Sequence, residues 1–364
     1  MTSVKLSQRN LPCLLRAKKN IQVKMVSMSG ECYIGAAGAI LCGLLGVITN
    51  GMTMLVILKQ KKVRDNLISP ILFMMCFSNF VFSLICLPLR ASQLFGADSG
   101  DDTICQYFAL LYFPNIFVSI LTCALISLNR ALALRNHAFA KRVFTWKKTI
   151  FYYNLMWQFS VGLMLLPLYK VWGKLGRIEE SNQCTMIKTE TGNPLPGFFS
   201  ITMGISVPVL VVSIASIYLW MRSSTQNTLY ACADLPPELC EKFIKNEAQV
   251  TKTSMILVAC FAILYLPNFL IALAVPMDKL LGLHVAGYII AWCWVFINPV
   301  IYIFGNGCFK LAFKKTFGLS LSPRDAEYQS TGMVRNLSAK TLTLDRSAKL
   351  NWKKMVESEK KSSV

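Results

Sequence analysis

Residues 34–58 read IGAAGAILCGLLGVITNGMTMLVIL, an apolar stretch of 25 residues without a charged side chain. At 1.5 Å per residue, a helix of about 20 residues crosses the roughly 30 Å of hydrocarbon in a bilayer. A backbone inside hydrocarbon has to satisfy its hydrogen bonds within its own segment. The stretch therefore predicts a membrane-spanning helix and not a strand.

Six further apolar stretches follow the first. We name the seven predicted helices span 1 to span 7, and they cover residues 34–58, 67–89, 105–134, 149–168, 197–221, 250–275 and 280–304. The chain is 54% apolar and only 15% charged, whereas soluble domains are about 25% charged. The predicted fold class is an all-α membrane protein, a seven-transmembrane-helix bundle.

The basic residues predict the orientation of this bundle. Of the 38 Lys and Arg residues, 26 lie in residues 59–64, 130–148, 222–252 and 305–364, at the ends of or beyond spans 1, 3, 5 and 7. The connections on the other side hold six. Positive residues accumulate on the cytoplasmic side of a membrane. We therefore expect an extracellular N-terminus and a cytoplasmic C-terminus at the plasma membrane. The net charge of +20 lies in connections and tail and not on one amphipathic face, which argues against nucleic-acid binding.

Short motifs occur in order along the spans. Span 1 contains Gly46-Val47-Ile48-Thr49-Asn50, span 3 ends in Asn129-Arg130-Ala131, span 6 contains Phe261 and Tyr265-Leu266-Pro267, and span 7 ends in Asn298-Pro299-Val300-Ile301-Tyr302. With Cys105, Trp157 and Pro208 they resemble the motifs of the rhodopsin-like (class A) G-protein-coupled receptors, over about residues 34–317. The sequence of residues 118–130 is most similar to that of the insect orphan group that contains moody and the trapped-in-endoderm receptors.

The resemblance implies a domain organisation. We expect an extracellular segment (1–33), a receptor domain (34–304), a short amphipathic eighth helix (305–318) and a disordered cytoplasmic tail (319–364). The first segment carries six basic residues and one acid, Glu31, a balance that would hinder export. Translation is therefore expected to begin at Met25 or Met28.

The resemblance also implies a switch around Arg130. An ion pair with Glu247 would hold spans 3 and 6 together and close the cavity for a heterotrimeric G protein; the alternative is an arginine that reaches to lipid phosphates. The residues implied for the G-protein switch are Asn129, Arg130, Glu247, Asn298, Pro299 and Tyr302. Those implied for a core switch are Asn50, Asn79, Ser119, Phe261, Tyr265 and Pro267.

Three positions depart from the family pattern. Asn129 replaces an acid beside Arg130, Asn79 replaces the aspartate of the usual sodium site, and Tyr265 replaces a tryptophan. Arg130 should therefore depend more on Glu247. Weak sodium sensitivity and raised basal signalling are expected.

On the outer side the resemblance implies a Cys105–Cys184 disulfide and a ligand cavity. The implied ligand residues are Arg90, Tyr112, Asn115, Tyr265, Asn268, Tyr288 and Trp292. Tyr112 stands where amine receptors carry an aspartate, and Trp292 where photoreceptors carry the retinal lysine, so neither a monoamine nor retinal is expected. No cofactor and no metal is predicted. Arg90 and Lys170 are candidates to bind the anionic group of an amphipathic ligand such as a lipid; reaching to the membrane interface is the alternative.

The tail suggests further partners. Ser330, Thr331, Ser338, Thr341 and Thr343 are candidate phosphorylation sites for arrestin-like proteins, and Ser362-Ser363-Val364 fits a PDZ groove. A receptor-like scaffold that does not couple to a G protein is an alternative, because Asn129 and Ala131 depart from the family motif. A channel or transporter is less favoured, because ionisable groups are nearly absent from the spans and no repeat is apparent. Nothing resembles an enzyme site.

Overall fold

A computed structural model describes residues 30–96, 102–135, 137–171, 173–178, 183–187, 237–274 and 280–321. Predicted span 5 (197–221) lies outside the described residues. So do nearly all of the predicted N-terminal segment and the tail after residue 321, with its candidate phosphorylation sites and PDZ motif.

Helices occupy the other six predicted spans. They are Gly30–Lys59, Ser69–Leu94, Asp102–Arg135, Trp146–Leu168, Pro237–Ala274 and Leu281–Gly305. Five of the described helices are long and apolar enough to cross a membrane. The span 4 helix has 23 residues but is not among these five. Short helices Lys61–Arg64 and His137–Val143 lie between spans.

Two of the helices depart from regular α-geometry. In span 2 a π-helical turn, Phe82–Cys86, comes just before Pro88. Proline has no amide donor and crowds the preceding turn, and a π-turn is one way in which a helix absorbs this. Span 7 is interrupted at Cys293, between Leu281–Trp292 and Trp294–Gly305.

The bundle exposes many apolar side chains and buries several polar ones. Large apolar side chains are exposed along the helices, among them Leu44, Ile263 and Phe304. Asn50, Asn79 and Asn298 are fully or almost fully buried. A water-soluble protein shows the opposite distribution, and an apolar surface of this extent is suited to hydrocarbon.

A β-hairpin that the sequence did not predict follows span 4. Strand β1, Lys174–Ile178, pairs antiparallel with strand β2, Gln183–Ile187, and Arg177 stands opposite Cys184. Cys184 forms a disulfide with Cys105 of span 3, with a Cα–Cα distance of 5.2 Å. The predicted disulfide is confirmed, and it fixes the hairpin against one end of the bundle. We call this the hairpin end, and the opposite end the Arg130 end.

An amphipathic helix, Gly307–Thr316, follows span 7, within the range predicted for the eighth helix. Asn306 caps it, because its side-chain oxygen accepts hydrogen bonds from the amides of Cys308 (3.0 Å) and Phe309 (3.2 Å). Phe309 is buried against the bundle, and Lys314 lies in the last turn, where the helix dipole favours a cation.

Gly46 lets span 1 pack closely against spans 2 and 7. A Cβ added at this position would overlap the Ser83 side chain and lie 3.1 Å from Val295 Cγ2. One turn later, the Asn50 side-chain amide donates to the carbonyls of Gly46 and Val295, both at 2.7 Å. The small residue and the asparagine together fix span 1 against span 7.

We expect Gly46→Ala to destabilise the purified protein by about 1–3 kcal/mol, because the new methyl group overpacks the contact. The control is Gly162→Ala, since no atom lies within 4 Å of a Cβ added there. It should be neutral or stabilising by up to about 1 kcal/mol. Thermal unfolding in detergent measures both. Equal midpoints for the two variants would contradict the close contact.

Candidate functional site

Arg90 of span 2 lies buried beneath the hairpin, with only 3% of its surface exposed. Its Nη1 donates hydrogen bonds to the Gln93 side chain at 3.1 Å, the Gln183 side chain at 3.4 Å and the carbonyl of Cys184 at 3.1 Å. All three acceptors are neutral. Gln93 and Gln183 were missed by the sequence analysis; only the position of Gln183 beside the disulfide could have suggested its role.

Two aromatic rings of span 3 lie against this guanidinium, and rings of span 7 adjoin one of them. Its central carbon lies 4.5 Å from the Tyr112 ring centroid and 4.7 Å from that of Phe108. Trp292 Nε1 donates to the Tyr112 hydroxyl at 2.8 Å, and the Tyr288 ring stacks on Trp292. Of the predicted ligand residues, the structure thus brings Arg90, Tyr112, Tyr288 and Trp292 into one cluster.

None of the contacts of Arg90 described above involves the other predicted ligand residues. Asn115, one turn from Tyr112 on span 3, is buried, and neither of its amide atoms has a partner among the described residues. Asn268 of span 6 packs against Gly287 of span 7. Tyr265 packs against Phe261 in the core, with tilted rings whose centroids are 4.5 Å apart. Lys170 is exposed and follows the span 4 helix, so its surroundings differ from those of Arg90.

The centre of the bundle holds the residues predicted for the core switch. Phe261 packs edge-on against Trp294 at 5.0 Å between ring centroids. Trp294 is among the largest fully buried side chains and was missed by the sequence analysis. Nearby polar residues of spans 2, 3 and 7 are buried in this apolar environment; they are Asn79, Ser119 and Asn298.

Arg130 is buried at the other end of the bundle, with 1% of its surface exposed. Its Nε donates to the Asn129 side-chain oxygen at 3.0 Å, and its Nη2 donates to the same oxygen. Its Nη1 lies 3.7 Å from a carboxylate oxygen of Glu247 on span 6. Asn129 therefore keeps an acceptor beside Arg130 although it carries no charge. Glu247 lies well inside its helix, which begins at Pro237, earlier than predicted.

Two further contacts join spans 6 and 7 at the Arg130 end. The hydroxyls of Ser254 and Tyr302 are 3.1 Å apart, and the Thr253 hydroxyl donates to the carbonyl of Gly305 at 2.8 Å. Span 6 is thus held by span 3 through Glu247 and by span 7 through these hydroxyls.

These features define a multi-pass helical membrane protein with buried polar sites at both ends. The model of the 7 transmembrane receptor (rhodopsin family) matches residues 49–302. The chain belongs to this family of receptors and is not an enzyme, which confirms the resemblance seen in the motifs.

Relatives agree with this placement. The chain is 25% identical over 294 residues to Protein trapped in endoderm-1 of Drosophila melanogaster, covering 76% of this chain and 75% of that protein. It is 21% identical to the G-protein coupled receptor moody of the same species, covering 74% of this chain and 49% of moody, so it spans about half the length of that relative. Galanin receptor 2a of Danio rerio is 21% identical, with 77% of each chain covered.

The fold is similar to that of a solved receptor. The crystal structure of squid rhodopsin superposes with a TM-score of 0.69 at 18% identity, covering 83% of this chain and 91% of that chain. The predicted seven-helix bundle is thereby confirmed.

We expect Asn129→Asp to lower basal G-protein activation several-fold, because a carboxylate beside Arg130 adds a counter-charge to the pair on span 3. The change also loses the hydrogen bond from Asn129 Nδ2 to the carbonyl of Leu67, which is long at 3.3 Å. Nucleotide exchange at matched surface expression measures the effect. Asn129→Ala is the control: it removes all three hydrogen bonds of the Asn129 side chain and adds no charge, so basal activation should not fall. A fall of the same size in both variants would contradict a role for the charge.

Proposed function

We propose that this receptor carries a signal from a ligand at the hairpin end to a heterotrimeric G protein at the Arg130 end, with the hairpin end outside the cell. The excess of Lys and Arg after spans 1, 3, 5 and 7 supports this orientation. The observation that carries the proposal is the buried contact between Arg130 and Glu247, which joins spans 3 and 6.

The contact has the properties that a switch requires. Both side chains are nearly inaccessible, at 1% and 6% exposure, so neither charge is solvated by water. The separation of 3.7 Å is long for an ion pair. The pair therefore costs less to break than a close bidentate pair. A ligand that favours the arrangement with spans 3 and 6 apart would open the G-protein cavity by shifting the population between two states.

We expect Glu247→Gln to raise basal G-protein activation, by roughly 5-fold or more, since coupling energies of 1–3 kcal/mol correspond to 5- to 150-fold. Arg130→Ala should lower basal activation, because the guanidinium that would contact the G protein is lost. Energy transfer between G-protein subunits in cells, over all G-protein classes and at matched surface expression, measures both.

Glu241→Gln is the matched control on the same helix. Glu241 pairs with Lys245 at 2.7 Å, but both side chains are more than half exposed. A hydrogen bond from Lys245 lowers the pKa of the Glu241 carboxyl. Exposed pairs contribute little to stability, so basal activation should not change. A silent receptor in every variant and with every G-protein class would instead favour the non-coupling scaffold.

Arrestin-like proteins and a PDZ-domain protein are proposed as partners of the tail, on the strength of its hydroxyl residues and its last three residues. The ligand is proposed to be a lipid or another small amphipathic molecule.

We expect sodium to have little effect on the basal activity of the receptor, and Asn79→Asp to introduce sodium inhibition. Asn79 is buried near the middle of span 2, and an amide there supplies no negative charge for a cation. An aspartate would, and in hydrocarbon a carboxylate needs a counter-ion. The test compares nucleotide exchange in membranes in sodium chloride and in N-methylglucamine chloride. Asn79→Ala is the control. Strong sodium inhibition of the unmodified receptor would show the inference to be wrong.

A further inference from the structure

We propose that the ligand carries an anionic group, a carboxylate or a phosphate, that binds the guanidinium of Arg90 beneath the hairpin. This rests on the proposed receptor function and names the chemistry of its ligand. An apolar or aromatic body would complete the molecule and lie against the rings of Tyr112, Tyr288 and Trp292.

Arg90 is a buried cation with no counter-charge among the described residues. No carboxylate lies within ion-pair distance of it in the part of the chain that the structure describes, and its three hydrogen-bond acceptors are two side-chain amides and a backbone carbonyl. Its Nε–H is buried and has no hydrogen-bond partner in the described part of the chain. An arginine does not lose its proton inside a protein, so the positive charge persists.

The surroundings compensate this charge only in part. The Phe108 and Tyr112 rings offer cation–π contacts, each worth about 0.5–2 kcal/mol. A buried charge that is not paired is costly by several kcal/mol. The charge of Arg90 therefore favours an anion over a neutral or cationic group at this position. Carboxylates and phosphates also match the fork of the guanidinium.

A purely structural role explains only part of the geometry. Nη1 holds the hairpin through Gln183 and Cys184. However, the hairpin has two other attachments at the same place. They are the Cys105–Cys184 disulfide and a hydrogen bond of 3.2 Å from the Cys184 amide to the Gln93 side chain. Neither attachment needs a charge, and the unpartnered Nε–H takes no part in holding the hairpin.

The residues next to Arg90 indicate the rest of the ligand. The rings of Phe82, Phe108 and Phe113 pack around Tyr112, and the centroid of each lies 5.2–5.3 Å from that of Tyr112. These rings make the environment apolar, which suits an apolar chain or ring of a ligand. One turn deeper, the buried Asn115 offers an amide donor and acceptor without partners among the described residues. A molecule with one anionic end and an apolar body bearing a polar group fits this order.

The test measures binding to purified receptor in phosphatidylcholine nanodiscs. The probes are oleate, oleoyl-lysophosphatidate, oleyl alcohol and inorganic phosphate. Their binding is measured by thermal shift and by direct titration. The variants are Arg90→Gln, Arg90→Lys, Gln93→Ala and Lys170→Gln. The first two remove or keep the charge, the third removes a hairpin attachment but no charge, and the fourth removes an exposed charge near the same end.

We expect at least one anionic lipid to bind saturably and oleyl alcohol to bind much more weakly. Arg90→Gln should weaken the binding of the anionic lipid roughly 10- to 100-fold, which is the loss of affinity expected when hydrogen bonds to a charged group are removed. Arg90→Lys should retain part of the affinity, and Lys170→Gln should change it less than about threefold. Gln93→Ala removes one acceptor of Arg90 but leaves the charge, so it should not lower the affinity as far as Arg90→Gln does. Binding of inorganic phosphate alone would support the site and assign it to a free anion and not to a lipid head group.

Three results would overturn the proposal: no binding of any anionic probe, equal affinity for oleyl alcohol and oleate, or equal losses in Gln93→Ala and Arg90→Gln. Unfolding midpoints without probe and the state of the Cys105–Cys184 disulfide show whether each variant is folded. If Arg90→Gln is not folded, the affinity of Arg90→Lys tests the proposal instead. Binding does not require a G protein, so its failure is distinct from failure of the basal activation assay.

Discussion

Hydrocarbon offers no hydrogen-bond partner to a peptide group or a polar side chain, and the architecture of this receptor follows from that constraint. Polar side chains within the helices turn inward or bond to their own backbone. Asn50 joins two helices through the carbonyls of Gly46 and Val295. Thr122 and Ser254 each donate to the carbonyl four residues earlier and also contact a tyrosine hydroxyl on another span. These buried hydrogen bonds thus specify which helix faces lie inside.

The same constraint gives the two buried arginines different consequences. Arg130 has an acid on a neighbouring helix and an amide beside it, so its charge joins spans 3 and 6 within the protein. Arg90 has aromatic rings and neutral acceptors but no acid among the described residues. One charge is satisfied internally and suits a switch between two helix arrangements. The other is satisfied only in part and suits the recognition of something that comes from outside.

Several properties of these sites could be predicted from the sequence because they depend on residue type at one position. Asn129, Asn79 and Tyr265 differ from the family pattern, and the chemistry of those changes is evident without coordinates. Gln93 and Trp294 could not be found in this way. Each is one of many polar or aromatic residues in its span, and its role depends on what lies across the interface. The β-hairpin was also missed, since five-residue strands beside long apolar helices give a weak signal.

The sequence by itself determined the number and approximate limits of the spans, because hydropathy over about 20 residues is a local property set by the bilayer thickness. It also determined the family, through motifs read at fixed positions. The tertiary structure decided which residues meet: Arg90 with Cys184, 94 positions apart in the chain, and Tyr112 with Trp292. These contacts depend on the rotation and tilt of whole helices, which side-chain packing between spans sets and which no local pattern records.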